Sequence, residues 1–541
     1  MSDRSKKANY IKQSGIRGMV SWVILALYMV KIIYMSYQTG MSAMTYYAYA
    51  EVVFIAGFVL FGISVIPVLK KMVYFQMNHG NYKNTAKLYR VIEGLLMVVA
   101  VTLAVLLFFF SNGISLFLFK TKLCALIFKM IAAALFCWIL MSGLKGYMEG
   151  IGNAMPGVFA DLTAHVLGLI VTVATQPFFS QRGREVAALM RQDSYAYAYA
   201  ACSGALGLAV GGAAGFLFLL AVRFVFGKEI RRRMRADESR KTDSAQDILW
   251  NFFGNYIKSV LTENVGVLLG IILFVLYAHL KGNVGDGAGM LYVGMVVLVL
   301  PVSLLAFQMA TPFAKQMVAI MKQSDFHHAK ERMNFYLKML SYTVLPVSAG
   351  GIALAPVLAR VLFDVEQESI YAIIRIGMFS AGLIAYGIFF RKLSVVVIRP
   401  FLRYLCMVMF GGFGIGFLYI LKLAGMSCEA SCAYAYVLAC LLYVLLTAFF
   451  AMKKIKIYNR LFECLLIPFV AALLSGAVVF GLYILLDGIM ADIILLFVCC
   501  VILYMIYHAV ICFLHIFEAH EWKEVPGSDI PIFLAKVMGK Y

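Results

Sequence analysis

Long stretches with almost no charge fix the fold class of this chain before any motif is read. Val20 to Ile33, Val52 to Leu69, Leu95 to Phe110 and Ile493 to Tyr507 are apolar nearly throughout, and an α-helix needs about 20 such residues to cross roughly 30 Å of hydrocarbon. Charged residues make up 14% of the 541, against about 25% in soluble globular chains. A chain of this kind cannot hide its apolar surface in water. A transmembrane β-barrel would instead show alternating segments of about ten residues, and no such segments occur. The expectation is an all-α polytopic membrane protein.

The N-terminus, MSDRSKKANYIKQSGIRG, leads into a full-length apolar span without a small-residue cleavage site, so the first helix is expected to be retained. In order, the blocks predict about 14 transmembrane helices near 15–37, 45–68, 90–112, 123–146, 155–178, 195–222, 248–280, 287–312, 335–360, 369–390, 400–424, 431–451, 461–486 and 491–517. With both termini in the cytoplasm of a bacterium, inside loops and adjoining helix ends collect about 34 of the 47 Lys and Arg, which fits the positive-inside rule. The net charge of +20 is therefore a topology signal. A nucleic-acid surface needs a basic patch on a soluble folded domain, and no soluble segment here is long enough to form one. The expected organisation is a six-helix bundle over 1–222, a basic cytoplasmic linker over 223–247, a second six-helix bundle over 248–451, and two further helices with a tail over 452–541. The linker's basic run suits anionic headgroups, at about 1 kcal/mol per residue.

The two bundles read as copies. IPVLKKMV from Ile66 has its counterpart in TPFAKQMV from Thr311, a shift of 245. Gly143 and Pro156 flank one loop as Gly387 and Pro400 flank another, a shift of 244. Six is even, so both copies enter the membrane the same way and are related by an axis along the membrane normal.

The segments GNYKNTAKLYRVIEGLLMVVAVTLAVLLFFFSNGISLFLF (Gly80 to Phe119), LKGYMEGIGNAMPGVFADL (Leu144 to Leu162) and SDFHHAKERMNFYLKMLSYTVLPVSAGGIALAPVLARVLFD (Ser324 to Asp364) resemble the multidrug/oligosaccharidyl-lipid/polysaccharide exporter superfamily. Within it, the chain is most similar to the polysaccharide-biosynthesis and stage V sporulation protein B-like branch, with lipid II flippases as relatives. Where that branch tends to carry a Glu after the fifth helix's proline, this chain has Ala164, with Asp161 nearby. The resemblance implies two bundles facing a central cleft that opens alternately to either side.

Polar stripes within the spans single out candidate site residues. Arg17, Ser21, Tyr28, Lys31 and Gln38 share one face of the first helix, and Asn251, Asn255, Lys258 and Thr262 share one face of the seventh. A Lys at mid-span costs about 2.5 to 3.5 kcal/mol to insert, so such residues usually face water or a partner. Arg17, Lys31, Asn255 and Lys258 are thus candidates for an anionic, phosphate-bearing headgroup, followed by Lys129 and Arg375, whose alternative role is to snorkel to the interface. Asp161 and His165, four apart, and Glu263, behind Lys258, are ion-coupling candidates; the alternative is a hydrogen-bonded pair and a neutralised Lys. Glu51 and Glu93 are expected at span ends, in the interface.

Gly207, Gly211 and Gly215, four apart, predict close helix packing. No nucleotide-binding motif or metal-ligand spacing occurs, so no cofactor is expected. Cys428 and Cys432 are close enough in sequence to be weighed as an oxidisable pair. The leading functional expectation is a flippase for a lipid-linked oligosaccharide or polysaccharide precursor in the cytoplasmic membrane, with membrane lipids and glycosyltransferases or polymerases of the same pathway as partners. An ion-driven multidrug antiporter is the runner-up. A membrane glycosyltransferase is third, since it calls for acidic catalytic residues and a sizeable loop that the chain does not offer.

Overall fold

Gly40 turns the first apolar stretch back on itself. In the computed structural model, which describes residues 3–235, 237, 242–282, 284–455, 462–514, 516–522, 524 and 525, helix α1 (Asp3–Phe58) runs through Gly40 at φ 73°, ψ 177°. That positive φ suits glycine and few other residues. The reversal follows from the contacts: Lys31 meets Tyr47 at 2.6 Å and Tyr28 meets Glu51 at 2.9 Å, although residues 23 apart on one helix would lie about 34 Å apart. A π turn at Val59–Ile63 then leads into α2 (Val65–Asn78).

The first copy continues with α3 (Tyr82–Phe109), short α4 (Ser111–Phe119), α5 (Ala125–Ile151), α6 (Met155–Met190), short α7 (Ser194–Ala200) and α8 (Cys202–Arg235). Next come α9 (Ala245–Glu263) and α10 (Val265–Lys281), bent by 69° at Asn264. The second copy holds α11 (Gly287–Tyr292), a π turn at Val293–Val297, α12 (Leu300–Lys322), α13 (Phe326–Ala353), α14 (Ala355–Phe363), α15 (Glu368–Val397), α16 (Pro400–Leu423) and α17 (Cys428–Ile455). Finally α18 (Ile467–Leu486), α19 (Asp492–Phe513) and the single turn α20 (Ala519–Trp522) follow.

Among the described residues, eleven stretches are long and apolar enough to cross a membrane, and two bent pairs, α9 with α10 and α13 with α14, bring the number to 13. The first of the eleven, Gly15–Asn78, is two passes joined at Gly40, which recovers the expected fourteen. The protein is an all-α, multi-pass membrane protein. Two helix starts differ from expectation for one reason: the amphipathic leads before the third and ninth passes are continuous with them, so these helices start at Tyr82 and Phe326 rather than near 90 and 335, and α6 and α12 run on to Met190 and Lys322, past the expected ends at 178 and 312. The linker is helical as far as Arg235. Its residues 236 and 238–241, the expected start of the thirteenth helix at 461 and the tail from 526 lie outside the described residues.

The repeat is written in backbone conformation. Shifting α3 and α4 by 244 gives the bounds of α13 and α14. The turns obey the same shift, with Gly80 (φ 74°) matched by Ser324 (φ 56°), and Lys120 by Asp364, both at φ 56°. Non-glycine residues seldom adopt that region, so agreement at both turns is not composition.

The chain divides into two compact units, Met1–Gly289 and Met290–Tyr541, so α9 and α10 fall with the first. In the first, α5 packs against α2, α3 and α8, and α6 runs along α8. There Gly207 and Gly211 face the Gly168 and Ala164 carbonyls, and a Cβ on Gly211 would come within 2.2 Å of the Ala164 oxygen; the expected close packing is present. In the second, α15 packs on α12, α13 and α17, and α13 also on α18. Both central helices, α5 and α15, bury residues around most of their circumference, as helices apolar on all faces do.

Candidate functional site

The hairpin at Gly40 creates a buried polar cluster that neither limb could hold alone. Lys31, 5% exposed, donates to the Tyr47 hydroxyl and lies 5.2 and 5.1 Å from the Tyr28 and Tyr47 ring centroids. Cation–π attraction strengthens when both groups are desolvated. Tyr28 donates in turn to Glu51 Oε1, and Glu51 Oε2 is buried without a hydrogen-bond partner. Glu51, expected at the interface, is 4% exposed. The second limb begins directly after Gly40, which puts Glu51 about 16 Å along it, half the thickness of the hydrocarbon. Beside these, Trp138 donates to the Leu208 carbonyl and meets the His165 ring edge-on at 5.6 Å.

Towards the end away from Gly40, charges alternate in sign. Glu149, its side chain 4% exposed, accepts from Lys70 at 2.8 Å and lies 3.2 Å from Arg17. Lys145 bridges both oxygens of Asp161, at 2.8 and 2.6 Å. The turn at Gly152 between α5 and α6 makes this partnership, since Lys145 and Asp161 are nearly equidistant from it. His165 Nδ1 pairs with the Asp161 backbone carbonyl at 2.8 Å. Asp161 and His165 do share a face, but the carboxylate belongs to Lys145. Glu93, expected in the interface, pairs with Arg223 at 2.6 Å and accepts from Tyr89. Glu149, Lys70, Lys145 and Tyr47 were missed among the candidates; the spacing of Lys145 and Glu149, one helical turn apart and close to Asp161, was the available signal.

The seventh-pass stripe lies apart from this interior. On α9 the packed face carries Tyr256, which donates to the Leu60 carbonyl at 2.6 Å, and Ser259, which donates to the Ser64 carbonyl at 3.2 Å. At the bend, Asn264 donates to Ser64 Oγ at 2.8 Å, and Ser64 Oγ donates to the Val59 carbonyl. Two hydroxyls of α9 thus bond to the main chain of the π turn at Leu60 and of Ser64 directly after it. The stripe points the other way: Lys258 is exposed, Asn255 donates back to Asn251, and Thr262 donates to the Lys258 carbonyl. Glu263 is half-buried at the end of α9. Lys129 is exposed, over the Phe108 ring at 5.4 Å, and Arg375 is exposed on α15. The structure thus brings Lys31, Asp161 and His165 into one bundle interior, which exposed Arg17 reaches through Glu149, and leaves Lys258, Lys129 and Arg375 at surfaces and Asn255 half-buried on the far face of α9. No cluster of metal-ligating side chains occurs among the described residues, and none of the 11 cysteines, Cys428 and Cys432 included, forms a disulfide.

In the second unit, buried charge is met by distant segments. Arg360 on α14 pairs with Asp487 at 2.7 Å and Asp492 at 2.8 Å, which flank the α18–α19 turn. Lys338 on α13 lies 3.2 Å from Glu521.

This architecture has solved counterparts. A lipid II flippase, MurJ, in its inward closed conformation matches with a TM-score of 0.67 at 12% identity, over 92% of this chain and 98% of that one. An inward-facing multidrug resistance MATE transporter of the MOP superfamily matches at 0.58 and 13%, over 81% and 98%. The chain has the fold of the MOP superfamily. A MATE structure in the straight conformation matches that fold as well, at 0.53 and 14% over 83% and 96%. No family model and no curated protein sequence matches the chain. The MOP fold agrees with the resemblance carried by the Gly80, Leu144 and Ser324 segments.

Proposed function

We propose that this protein is an alternating-access transporter that flips a lipid-linked oligosaccharide or polysaccharide precursor across a bacterial cytoplasmic membrane, with both termini in the cytoplasm. One observation carries the choice of substrate class. The flippase structure spans 92% of the chain, whereas the two MATE structures described above span 81% and 83% while being almost fully covered themselves. The difference is about the share held by α18 and α19, helices beyond the doubled six, which suit a polyprenyl chain that stays in lipid while its headgroup crosses. On the first unit, exposed Lys258, half-buried Asn255, and Arg17 at the exposed edge of its pair with Glu149 are the proposed contacts for headgroup phosphate, since charge-assisted bonds to phosphate are strong where water is scarce. Lys31, held by Tyr47 in this state, joins them when that bond opens; Lys129 and Arg375 are peripheral.

A second reading is favoured by Glu51. A buried carboxylate among Tyr28, Tyr47 and Lys31 is the acidic, aromatic interior that an ion-coupled multidrug antiporter needs. Asp161, His165 and Glu263 are further coupling candidates on that reading. Proteoliposomes separate the two. Flipping of a fluorescent undecaprenyl-diphosphate saccharide, read by quencher access, lost in Lys258→Gln and Arg17→Gln by about tenfold, is the expected result. Proton-driven uptake of a cationic dye with no saccharide flipping would reverse the order of the two readings.

A further inference from the structure

The last described segment of the chain is folded into the second unit. Ile516, Phe517, Trp522 and Val525 are buried in the apolar core that α13, α15, α17 and α19 share. Between these anchors the segment delivers two carboxylates to α13. Glu524 lies 2.6 Å from Arg332, and Glu521 lies 3.2 Å from Lys338, whose side chain is 5% exposed. Glu521 also accepts the Glu518 backbone N–H at 2.9 Å, so the turn Ala519–Trp522 is built around the same carboxylate that neutralises Lys338.

Three observations bear on what these cations are for. A buried ammonium cannot be left without an anion, so whatever removes Glu521 must bring negative charge with it. The wall beside the segment is a set of rings: Tyr342 lies 5.2 Å from His508, 5.5 Å from Phe517 and 5.8 Å from Trp522. Such an apolar, aromatic flank with a cation at its edge suits an amphiphile whose chains remain in hydrocarbon. Finally, the shift of 244 places Gly94 and Leu88 where the second copy has Lys338 and Arg332. The cations are thus particular to the copy that carries the two extra helices and the segment after them.

We infer that Lys338 and Arg332 form a phosphate site for an anionic membrane lipid, which Glu521 and Glu524 of segment 516–525 fill until a headgroup exchanges with them. Membrane lipids are the source because the two cations border an apolar, ring-lined flank, and the acyl chains take the place of Phe517 and Trp522. The exchange is anion for anion and leaves the Lys338 charge paired at every stage.

The test uses the full chain in nanodiscs of three kinds: phosphatidylcholine alone, phosphatidylcholine with phosphatidylglycerol, and phosphatidylcholine with added inorganic phosphate. Hydrogen exchange is read on peptides covering 516–525. Phosphatidylglycerol is expected to raise exchange there by about tenfold, with inorganic phosphate leaving it unchanged. Lys338→Gln is expected to abolish that response to phosphatidylglycerol. Glu521→Gln with Glu524→Gln, which removes both carboxylate charges of the segment, is expected to raise exchange in every disc and to retain more phosphatidylglycerol in native mass spectrometry. Equal protection of 516–525 in all three discs overturns the proposal. So does equal displacement by inorganic phosphate, which would make the ligand a soluble anion.

Discussion

The two units place charge in apolar surroundings by different means. In the first, Lys31 and Lys145 find partners across a single turn, Tyr47 and Asp161, each 16 residues away, beside longer-range pairs of Lys70 with Glu149 and Arg223 with Glu93 at 79 and 130 residues. In the second they come from far along the chain: Lys338 is 183 residues from Glu521, and Arg360 is 127 and 132 from Asp487 and Asp492. Helix caps reverse this pattern. The N-cap Asp325 of α13 accepts the His328 N–H within its own helix, whereas Asn81 at the start of α3 makes no side-chain cap, and Lys83 donates instead to Asp237 of the linker, 154 residues on. Duplication preserved the backbone and left each copy to find its own polar partners.

The largest expected effect tests what the copies have in common. Gly211→Val in the first unit and Gly377→Val in the second each drive a Cβ into a backbone oxygen, 2.2 Å from Ala164 and 2.0 Å from Gly294. Backbone cannot retreat as a side chain can, so each should cost about 4 kcal/mol or more, seen as loss of monodisperse protein and of the thermal transition. A tolerated valine in one unit alone would mean that the units differ in packing as well as in charge.

A smaller effect separates local from borrowed partners. Lys145→Met strands the Asp161 carboxylate in the bundle and should cost about 3 kcal/mol, largely restored by adding Asp161→Leu, as a double-mutant cycle would record. Lys338→Met should cost less, about 1 to 2 kcal/mol, because Glu521 keeps the Glu518 backbone N–H as a partner whereas Asp161 loses both of its bonds. Equal losses would erase the contrast. Smallest is the cap: Asp237→Ala and Asp325→Ala should each cost about 1 kcal/mol. Only the first should also raise hydrogen exchange at residues 242–244, where Asp243 and Asn84 exchange hydrogen bonds.

Much of this fold was legible because lipid removes choices. A span must be helical and apolar, so fourteen passes, the doubled six and the glycine-lined contact of α6 with α8 followed from hydropathy and spacing. The interior was harder to read. Tyr28 and Glu51 are partners only because Gly40 turns the chain without a loop, and a hydropathy boundary at 45 moved Glu51 from mid-bilayer to the surface. The stripe at Asn251, Asn255, Lys258 and Thr262 is a real helical face, but the packed face holds Tyr256 and Ser259, with Asn264 at the bend, and they bond to a π turn and to Ser64 after it, which no periodicity announces. Glu521 could not have been assigned to Lys338 without knowing where the segment after α19 returns.

The single-residue reversal at Gly40 also governs how topology can be mapped in cells. With passes one and two joined by one glycine at φ 73°, that turn offers no loop for a protease to cut, and an epitope inserted there would have to unwind a helix end to be displayed. Reporter tags belong in the turn from Lys120 to Cys124, where Phe119 stacks on Tyr49 of the same hairpin, and silence from a tag placed at residue 40 would carry no information about sidedness.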